Sequence, residues 1–202
     1  NLEDKYLNIY KNKDNVISRP EFLTELSRET KIIGITGTHG KTSTTALLAH
    51  IFHYNNIDVS YIFGGSTSYS GIGGHFGGPD QPLVLETDEA FNTFKNIEIN
   101  DLLVTNIDED HLDYFKSFEN LKEAFIHVIN KVKNNIVLNY DDEHLKKINP
   151  TSNCLTYSSK EETTFKIIYP NKFVFDNIKY EIITNLIGSH FISNIVGAIC
   201  LA

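Results

Sequence analysis

Six consecutive residues, Gly37-Thr38-His39-Gly40-Lys41-Thr42, have the types and spacing that bind a phosphate group. They follow an apolar stretch, residues 31–36, and precede a helical pattern that ends near residues 55–56. Glycines let a backbone curl until its N–H groups converge on one anion, and a helix N-terminus adds partial positive charge. Lys41 would reach the β- and γ-phosphates of a nucleotide, and the Thr42 hydroxyl would bind Mg²⁺.

This run is a shortened form of the full phosphate-loop spelling, which has glycine where this chain has Ile35. A glycine-rich turn with a surface lysine is the plain alternative, but the order strand, loop, helix favours a nucleotide site. A GTPase would have an Asn-Lys-x-Asp sequence for guanine, and the nearest string, residues 130–133, lacks the aspartate. ATP is therefore the expected nucleotide. A nucleotide-binding module of another class stays an alternative.

Acidic residues follow the apolar stretch 83–85, at the kind of position where open parallel sheets place their sites. Glu86 ends that stretch, and its carboxylate would hold the metal directly or through water. Asp88 and Glu89 come next. Their alternative interpretation is as solvated loop charges or a helix N-cap, and for Glu89 the two interpretations stay open.

Four carboxylates surround His111 in the segment 108–113, which follows another apolar stretch, residues 102–107. This density of ligand-type side chains predicts a divalent metal or a proton-transfer role. A plain surface histidine is the alternative. The segment has no HExxH sequence and no cysteine, so zinc is not expected there.

Short apolar stretches alternate with helical patterns as far as residue 138, which predicts an α/β fold. We expect a mostly parallel, P-loop-type sheet with helices on both faces. Beyond about residue 150 a hairpin turn at Asp176-Asn177 and short β-patterns predict a small antiparallel sheet near the C-terminal end. The patterns in question are residues 165–169, 173–175 and 178–183.

Two further segments have clear composition signals. Ser18-Arg19-Pro20 is typical of a helix start and predicts a short helix over residues 21–27. The glycine- and serine-rich residues 64–79 predict either a flexible tip or a surface that closes on a ligand.

The 202-residue chain has 41% hydrophobic residues and a formal net charge of −8, without a basic stripe. We therefore expect no nucleic-acid partner. No apolar run reaches the ~20 residues of a membrane span, so membrane insertion is not expected.

The chain has two cysteines, which are far apart in the sequence and are expected to be reduced. Reduced cysteines are typical of a cytoplasmic protein. Because the chain starts at Asn1 and stops inside an apolar run, we expect a piece of a longer protein.

Taken together, these motifs resemble those of the Mur ligases of bacteria. The resemblance rests on Ser18-Arg19-Pro20-Glu21, Gly37 to Thr42, Glu86-Thr87-Asp88-Glu89, Thr105 to Asp113, the helix Phe118 to Phe125, and Gly188-Ser189-His190-Phe191-Ile192-Ser193-Asn194. The motifs cover nearly the whole chain, and together they are far more specific than any one of them. The resemblance implies that residues 31–202 are the central ATP-binding domain of a three-domain ligase and residues 1–30 the end of the preceding domain or linker helices.

The resemblance also assigns roles to individual residues. Lys41, Glu86 and His111 would be catalytic, with Thr42 and Glu86 at one Mg²⁺ and His111 at a second. Gly37, Thr38, His39, Gly40, Lys41, Thr42 and Ser43 would surround the phosphates, and His190 and Asn194 would contact the adenine end. Phe191 stands where the family usually has asparagine. Either an amide contact is lost there, or Phe191 packs on the base.

Within the family, the chain resembles most the branch that joins L-alanine to UDP-N-acetylmuramate through an acyl phosphate. Phe125 stands where several relatives have a carbamylated lysine, as in that branch. The murein-peptide recycling branch is the alternative. The resemblance implies that the flanking domains complete the substrate sites, so this piece would bind ATP without forming the amide. Which amino acid is added, the oligomeric state and the order of residues 66–78 stay open.

Overall fold

A computed structural model describes residues 17–89, 94–110 and 112–202, which form one mixed sheet with helices on both faces. The strands are β1 (Ile32–Thr36), β2 (Ser60–Ile62), β3 (Gly74–His75), β4 (Leu83–Glu86), β5 (Asp101–Val104), β6 (Asn135–Asn139), β7 (Asn153–Ser158), β8 (Phe165–Ile168), β9 (Lys172–Phe175) and β10 (Ile178–Glu181). The helices are α1 (Arg19–Glu29), α2 (Lys41–Tyr54), α3 (Leu112–Phe115), α4 (Phe118–Ile129) and α5 (Ser189–Leu201), with a 3₁₀ turn at Leu145–Lys147. None of the described helices is long and apolar enough to cross a membrane.

Strand β1 lies in the middle of the sheet and pairs in parallel with β4 on one side and β5 on the other. The order across the sheet is β10-β9-β8-β7-β6-β5-β1-β4-β2-β3. In this spatial order, all neighbouring strands between β8 and β2 pair in parallel. The predicted α/β class is therefore confirmed. Because parallel strands end at one edge of the sheet, the loops after β1, β4 and β5 open beside one another.

Two buried layers cover the sheet, and β1 contributes to both. Ile33 and Ile35 pack in the layer that contains α2 and α5, whereas Ile32 packs in the layer that contains α1 and α4. All five residues of β1 are buried, as expected for a strand covered on both faces. Burial of each such aliphatic side chain stabilises the folded state by about 1.5–3 kcal/mol, so the packing of β1 contributes strongly to the stability of the sheet.

Helix α1 starts at a capping box between Ser18 and Glu21. Ser18 Oγ accepts from Glu21 N, and Glu21 Oε2 accepts from Ser18 N at 2.8 Å. The predicted helix is confirmed and is longer than its sequence signal. Leu23 enters the same buried layer as α4. The assignment of residues 1–30 to a preceding domain stays a prediction, and residues 1–16 lie outside the described part of the chain.

The glycine-rich segment, residues 64–79, contains a strand that its composition does not predict. Gly74 and His75 form β3, which pairs antiparallel with β2. A Cβ added to Gly73 would lie 2.3 Å from the backbone oxygen of another residue, and one added to Gly77 would lie 2.0 Å from another such oxygen. These glycines therefore permit close backbone packing, and a flexible tip stays a prediction. The alternative, a surface that closes on a ligand, also stays a prediction.

The C-terminal strands extend the main sheet. Strands β8, β9 and β10 are antiparallel, as predicted, and Asp176 and Asn177 form the expected turn with φ of 50° and 61°. Strand β7, which the sequence analysis missed, pairs in parallel with both β6 and β8. The polar residues of β7 interrupt its apolar pattern, which is why the strand was not predicted. Because β7 joins β6 to β8, the main sheet is wider than predicted and the antiparallel strands are continuous with it.

Gly197 of α5 packs against the sheet without a side chain and supplies a test of this packing. An added Cβ would lie 3.0 Å from both Tyr157 Oη and Leu103 Cδ1, and both of these residues are fully buried. We expect Gly197→Ala to lower the free energy of unfolding by about 1–3 kcal/mol because it overpacks the interface. Urea denaturation measures this. Gly74→Ala is the matched control, since its Cβ would meet open space, and it should change stability by less than about 0.5 kcal/mol. Equal stability of the two variants would contradict the packing argument.

Candidate nucleotide-binding site

The loop between β1 and α2, residues 37–40, contains two glycines in backbone conformations that other residues rarely adopt. Gly37 has a φ of 132° and Gly40 a φ of 85°. A Cβ on Gly37 would lie 2.1 Å from Thr105 Oγ1, and one on Gly40 would lie 3.1 Å from Asn194 Oδ1. The loop is therefore packed between the end of β5 and helix α5, without room for larger residues at these two positions.

Helix α2 begins at Lys41, directly after this loop, and Gly40 occupies its N-cap position. Gly40 has no side chain that could accept from the N–H groups of the first turn. Those N–H groups and the positive end of the helix dipole face the loop. The arrangement is suited to binding an anion, as the sequence predicts.

The Lys41 side chain folds back over the loop and donates to three acceptors. Its Nζ lies 2.7 Å from Gly37 O, 3.2 Å from Thr38 O and 3.0 Å from Glu89 Oε1, with Glu89 Oε2 at 2.9 Å. The Glu89 side chain is only 1% exposed and that of Lys41 14%. Burial raises the pKa of the Glu89 carboxyl above its ordinary value, and the Lys41 ammonium opposes that rise. Glu89 is therefore a buried partner of Lys41, and its interpretation as a solvated loop charge is wrong.

Thr42 and Glu86, the predicted metal ligands, are in direct contact. Thr42 Oγ1 donates to Glu86 Oε1 at 2.7 Å, and Gly64 N donates to Glu86 Oε2 at 2.6 Å. Glu86 is the last residue of β4 and lies opposite Ile35 of β1, so the strand pairing brings it to the phosphate loop. A hydroxyl and a carboxylate are hard oxygen ligands of the kind that Mg²⁺ prefers.

The residues after β5 fix the backbone of the loop. Thr38 Oγ1 accepts from Asp108 N at 2.9 Å. The Asn106 amide accepts from His39 N at 2.8 Å and donates to His39 O at 2.9 Å, and Thr105 Oγ1 donates to the same oxygen at 2.7 Å. The His39 ring itself is exposed, with Nε2 3.7 Å from Asp108 Oδ2. Sequence reasoning assigned no separate role to Asn106, although an amide side chain directly after a strand of this sheet was a usable signal.

The first turns of α5 border the loop on its other side. Asn194 lies against Gly40. His190 is exposed, and its ring centroid is 4.4 Å from that of Phe191. Phe191 and Ser43 line one cavity of about 280 Å³ beside the loop. Ser43 and Asn194 therefore lie close to the phosphate loop. The adenine contacts of His190 and Asn194 stay predictions.

His111 lies outside the described residues, so its metal role stays a prediction. In the ranges that the structure describes, no group of three or more His, Cys, Asp or Glu side chains is arranged to hold a metal ion. Phe125 is fully buried and packs edge-to-face on Phe94, with ring centroids 5.3 Å apart. Phe125 is therefore part of the buried core.

The buried contact between Lys41 and Glu89 predicts a pH-dependent stability. In Lys41→Met the carboxylate loses its ammonium, and we expect the free energy of unfolding to fall by about 3 kcal/mol near neutral pH. Loss of the ammonium raises the pKa of Glu89 in the folded state further above its unfolded value. The deficit should therefore be larger at about pH 8 than at about pH 5, because protonation of the buried carboxyl relieves it.

Denaturation at several pH values measures this deficit. Lys41→Met/Glu89→Gln is the matched control, because it removes both charges and should recover most of the lost stability without the same pH dependence. A Lys41→Met deficit that is the same at both pH values would contradict the buried-pair interpretation.

Comparison with known proteins agrees with this geometry. A family model described as the Mur ligase middle domain matches residues 35–202. The chain is 38% identical over 173 residues to the UDP-N-acetylmuramate–L-alanine ligase of Borreliella burgdorferi, which covers 82% of this chain and 36% of that protein. The chain therefore spans little more than a third of the length of this curated relative.

Two solved structures share the fold. The UDP-N-acetylmuramate-alanine ligase of Thermotoga maritima has a TM-score of 0.75 and 23% identity, over 90% of this chain and 43% of that one. The MurF ligase of Thermotoga maritima in complex with ADP has a TM-score of 0.66 and 21% identity, over 92% and 49%. The family match excludes the alternative of a nucleotide-binding module of another class. The chain belongs to the Mur ligase family, and residues 35–202 are its Mur ligase middle domain.

Proposed function

We propose that this chain is the ATP-binding part of a ligase that joins L-alanine to UDP-N-acetylmuramate for peptidoglycan synthesis. The observation that carries the proposal is the convergence of Lys41, Thr42 and Glu86 at one glycine loop. The name of the relative from Borreliella burgdorferi supports the alanine-adding branch over murein-peptide recycling. The ADP complex of the Thermotoga maritima MurF ligase supports an adenine nucleotide as the ligand.

The loop suits the phosphate chain of ATP. The N–H groups at the start of α2 offer donors to the phosphate oxygens, and the positive φ angles of Gly37 and Gly40 let the loop curl in front of them. Lys41 would add a positive charge that reaches the β- and γ-phosphates. These donors act locally, which matters because the formal net charge of −8 repels an anion at long range.

Thr42 and Glu86 fit Mg²⁺ by the chemistry of their oxygen atoms. Mg²⁺ usually retains waters and binds to substrate phosphates with one or two protein ligands, so these two residues would suffice. When bound, the ion would offset the repulsion between the triphosphate and an approaching carboxylate. Gly64 N and the end of β4 hold the Glu86 carboxylate in place for this role. His111 is proposed for a second Mg²⁺.

The reaction would proceed in two steps. The carboxylate of the muramic acid takes the γ-phosphoryl group of ATP, and the amine of L-alanine then displaces phosphate from the acyl phosphate. The part of this chain is to orient the triphosphate and to stabilise charge on the transferred group, which is most of what phosphoryl transfer needs. Lys41 would do both.

We further propose that UDP-N-acetylmuramate and L-alanine are bound with parts of a longer protein. The 202 residues alone would then bind ATP without forming the amide. A nucleic-acid partner is not expected, given the acidic charge balance. Membrane insertion is not expected either, since no apolar run of the sequence reaches the ~20 residues of a membrane span. The free cysteines Cys154 and Cys200 support a reducing, cytoplasmic location in bacteria.

Removal of the lysine charge tests the nucleotide site. We expect Lys41→Ala to weaken ATP binding by about 10- to 100-fold, because charge-assisted hydrogen bonds to the phosphates are lost. Isothermal titration calorimetry with Mg²⁺, at a temperature where the variant is folded, measures this. Lys122→Ala, which removes a lysine paired with Glu119 on α4, is the control and should bind ATP as the unchanged chain does. GTP binding as tight as that of ATP would contradict the proposal.

The metal assignment has a separate test. We expect Glu86→Gln to reduce the gain in ATP affinity that Mg²⁺ provides, because a neutral amide is a much weaker Mg²⁺ ligand than a carboxylate. Titrations of ATP with Mg²⁺ and with EDTA give this gain for each protein. Affinity in EDTA should not decrease, since the substitution removes a negative charge near the phosphates. An unchanged gain would exclude Glu86 as a ligand.

A further inference from the structure

Glu89 has no role in the phosphate, metal or base contacts assigned above, yet it occupies a costly position. Among the described residues it is the only charged side chain that is buried. A buried carboxylate is tolerated when a cation and hydrogen bonds compensate for its lost water. Placing such a group beside a site for a polyanion also weakens the general attraction of that site for anions. The position therefore needs a physical reason.

The contacts of Lys41 supply that reason. Two of its three acceptors, Gly37 O and Thr38 O, are neutral backbone carbonyls, and the third is the Glu89 carboxylate. A charge-assisted hydrogen bond is about twice as strong as a neutral one. Withdrawal of Lys41 from Glu89 would also leave a carboxylate 1% exposed without its ammonium, whereas withdrawal from the carbonyls carries no such penalty.

We propose that Glu89 is a positioning residue that aims Lys41 at the phosphates. It holds the ammonium over the loop before a nucleotide arrives and keeps this contact afterwards. The phosphate oxygens then replace Gly37 O and Thr38 O as acceptors. This inference rests on the proposed nucleotide-binding function and adds to it a residue that does not touch the nucleotide.

The proposal separates two effects of Glu89. Its charge lowers the affinity of the site for any anion, whereas its contact with Lys41 improves the alignment of the ammonium with the phosphates that Lys41 reaches. ATP has the γ-phosphate and ADP lacks it, so alignment should favour ATP. Loss of the carboxylate should therefore reduce the preference for ATP over ADP while leaving ADP affinity unchanged or higher. A merely structural residue would weaken both nucleotides alike.

The test uses the 202-residue chain and Glu89→Gln, which retains the size of the side chain and removes its charge. We expect the ratio of the ADP to the ATP dissociation constant, measured with Mg²⁺ by calorimetry, to fall by about tenfold, as for one lost charge-assisted contact. Acylation of the Lys41 amine in the absence of nucleotide, followed by mass spectrometry, gives a second measurement. Its rate should be about tenfold higher in Glu89→Gln than in the unchanged chain, since the ammonium has lost its contact with the carboxylate and is less protected. Glu98→Gln is the matched control: it breaks the exposed pair with Lys133, at 2.6 Å, and should change neither quantity.

A folded Glu89→Gln variant with an unchanged ratio, or with equal weakening of ATP and ADP, would overturn the inference. If this variant does not fold, Glu89→Asp replaces it. That change retains the charge but shortens the side chain, and it should shift both measurements in the same direction by a smaller amount. Unchanged values in Glu89→Asp would also overturn the inference.

Failure of the unchanged chain to bind ATP would overturn the proposed function and the inference with it, whereas ATP binding with an unaltered ratio would overturn the inference alone.

Discussion

The parallel pairing of β1 with both β4 and β5 is the constraint on which the site depends. Ile35 lies opposite Glu86, and Thr36 lies opposite Val104, so three strands end within one residue of each other. This register places the Glu86 carboxylate 2.7 Å from Thr42. A slip of one residue would turn every side chain of a strand to the other face of the sheet, and both buried layers oppose it. The apolar packing of β1 therefore also fixes the polar geometry of the site.

Local electrostatics, rather than overall charge, makes an anion site in an acidic chain. The formal net charge is −8, yet the loop combines the positive end of α2 with the Lys41 ammonium. Both sources would be close to a phosphate bound at this loop, and they are partly shielded from water, where a charge acts more strongly than at an exposed position. Glu89 reduces the attraction but restricts where the ammonium can lie. The arrangement favours orientation of the ligand over simple attraction.

The sequence predicted those parts of the site that depend on neighbours along the chain. The glycine loop, the start of α2 and the strand end at Glu86 each have a local pattern, and the structure has them where they were expected. Contacts between distant residues were not predictable in this way. Glu89 and Lys41 are 48 positions apart, and the Asn106 contacts with His39 span 67. Nothing local distinguishes a buried glutamate from a solvated one.

Two features of the fold were not predictable from composition, for the same reason. The glycines in residues 64–79 left a flexible tip and a surface that closes on a ligand open, and at Gly73 and Gly77 the missing side chain makes room for another part of the backbone. Strand β7 alternates polar and apolar residues weakly, so its place between β6 and β8 comes from pairing with those strands. In both cases tertiary contacts decide what composition alone leaves ambiguous.

The site is assembled from separate segments of the chain, whose contacts support the phosphate loop from several sides. Asn106 and Thr105 hold the loop from the side of β5, Asn194 of α5 borders it at Gly40, and Gly64 N fixes Glu86. A loop held on several sides loses little further conformational freedom when a ligand arrives. The loop loses its conformational entropy during folding and not on binding, so more of the interaction free energy with the phosphates contributes to affinity and orientation. The same close packing explains why glycine is required at positions 37 and 40, where a Cβ would collide with these supporting residues.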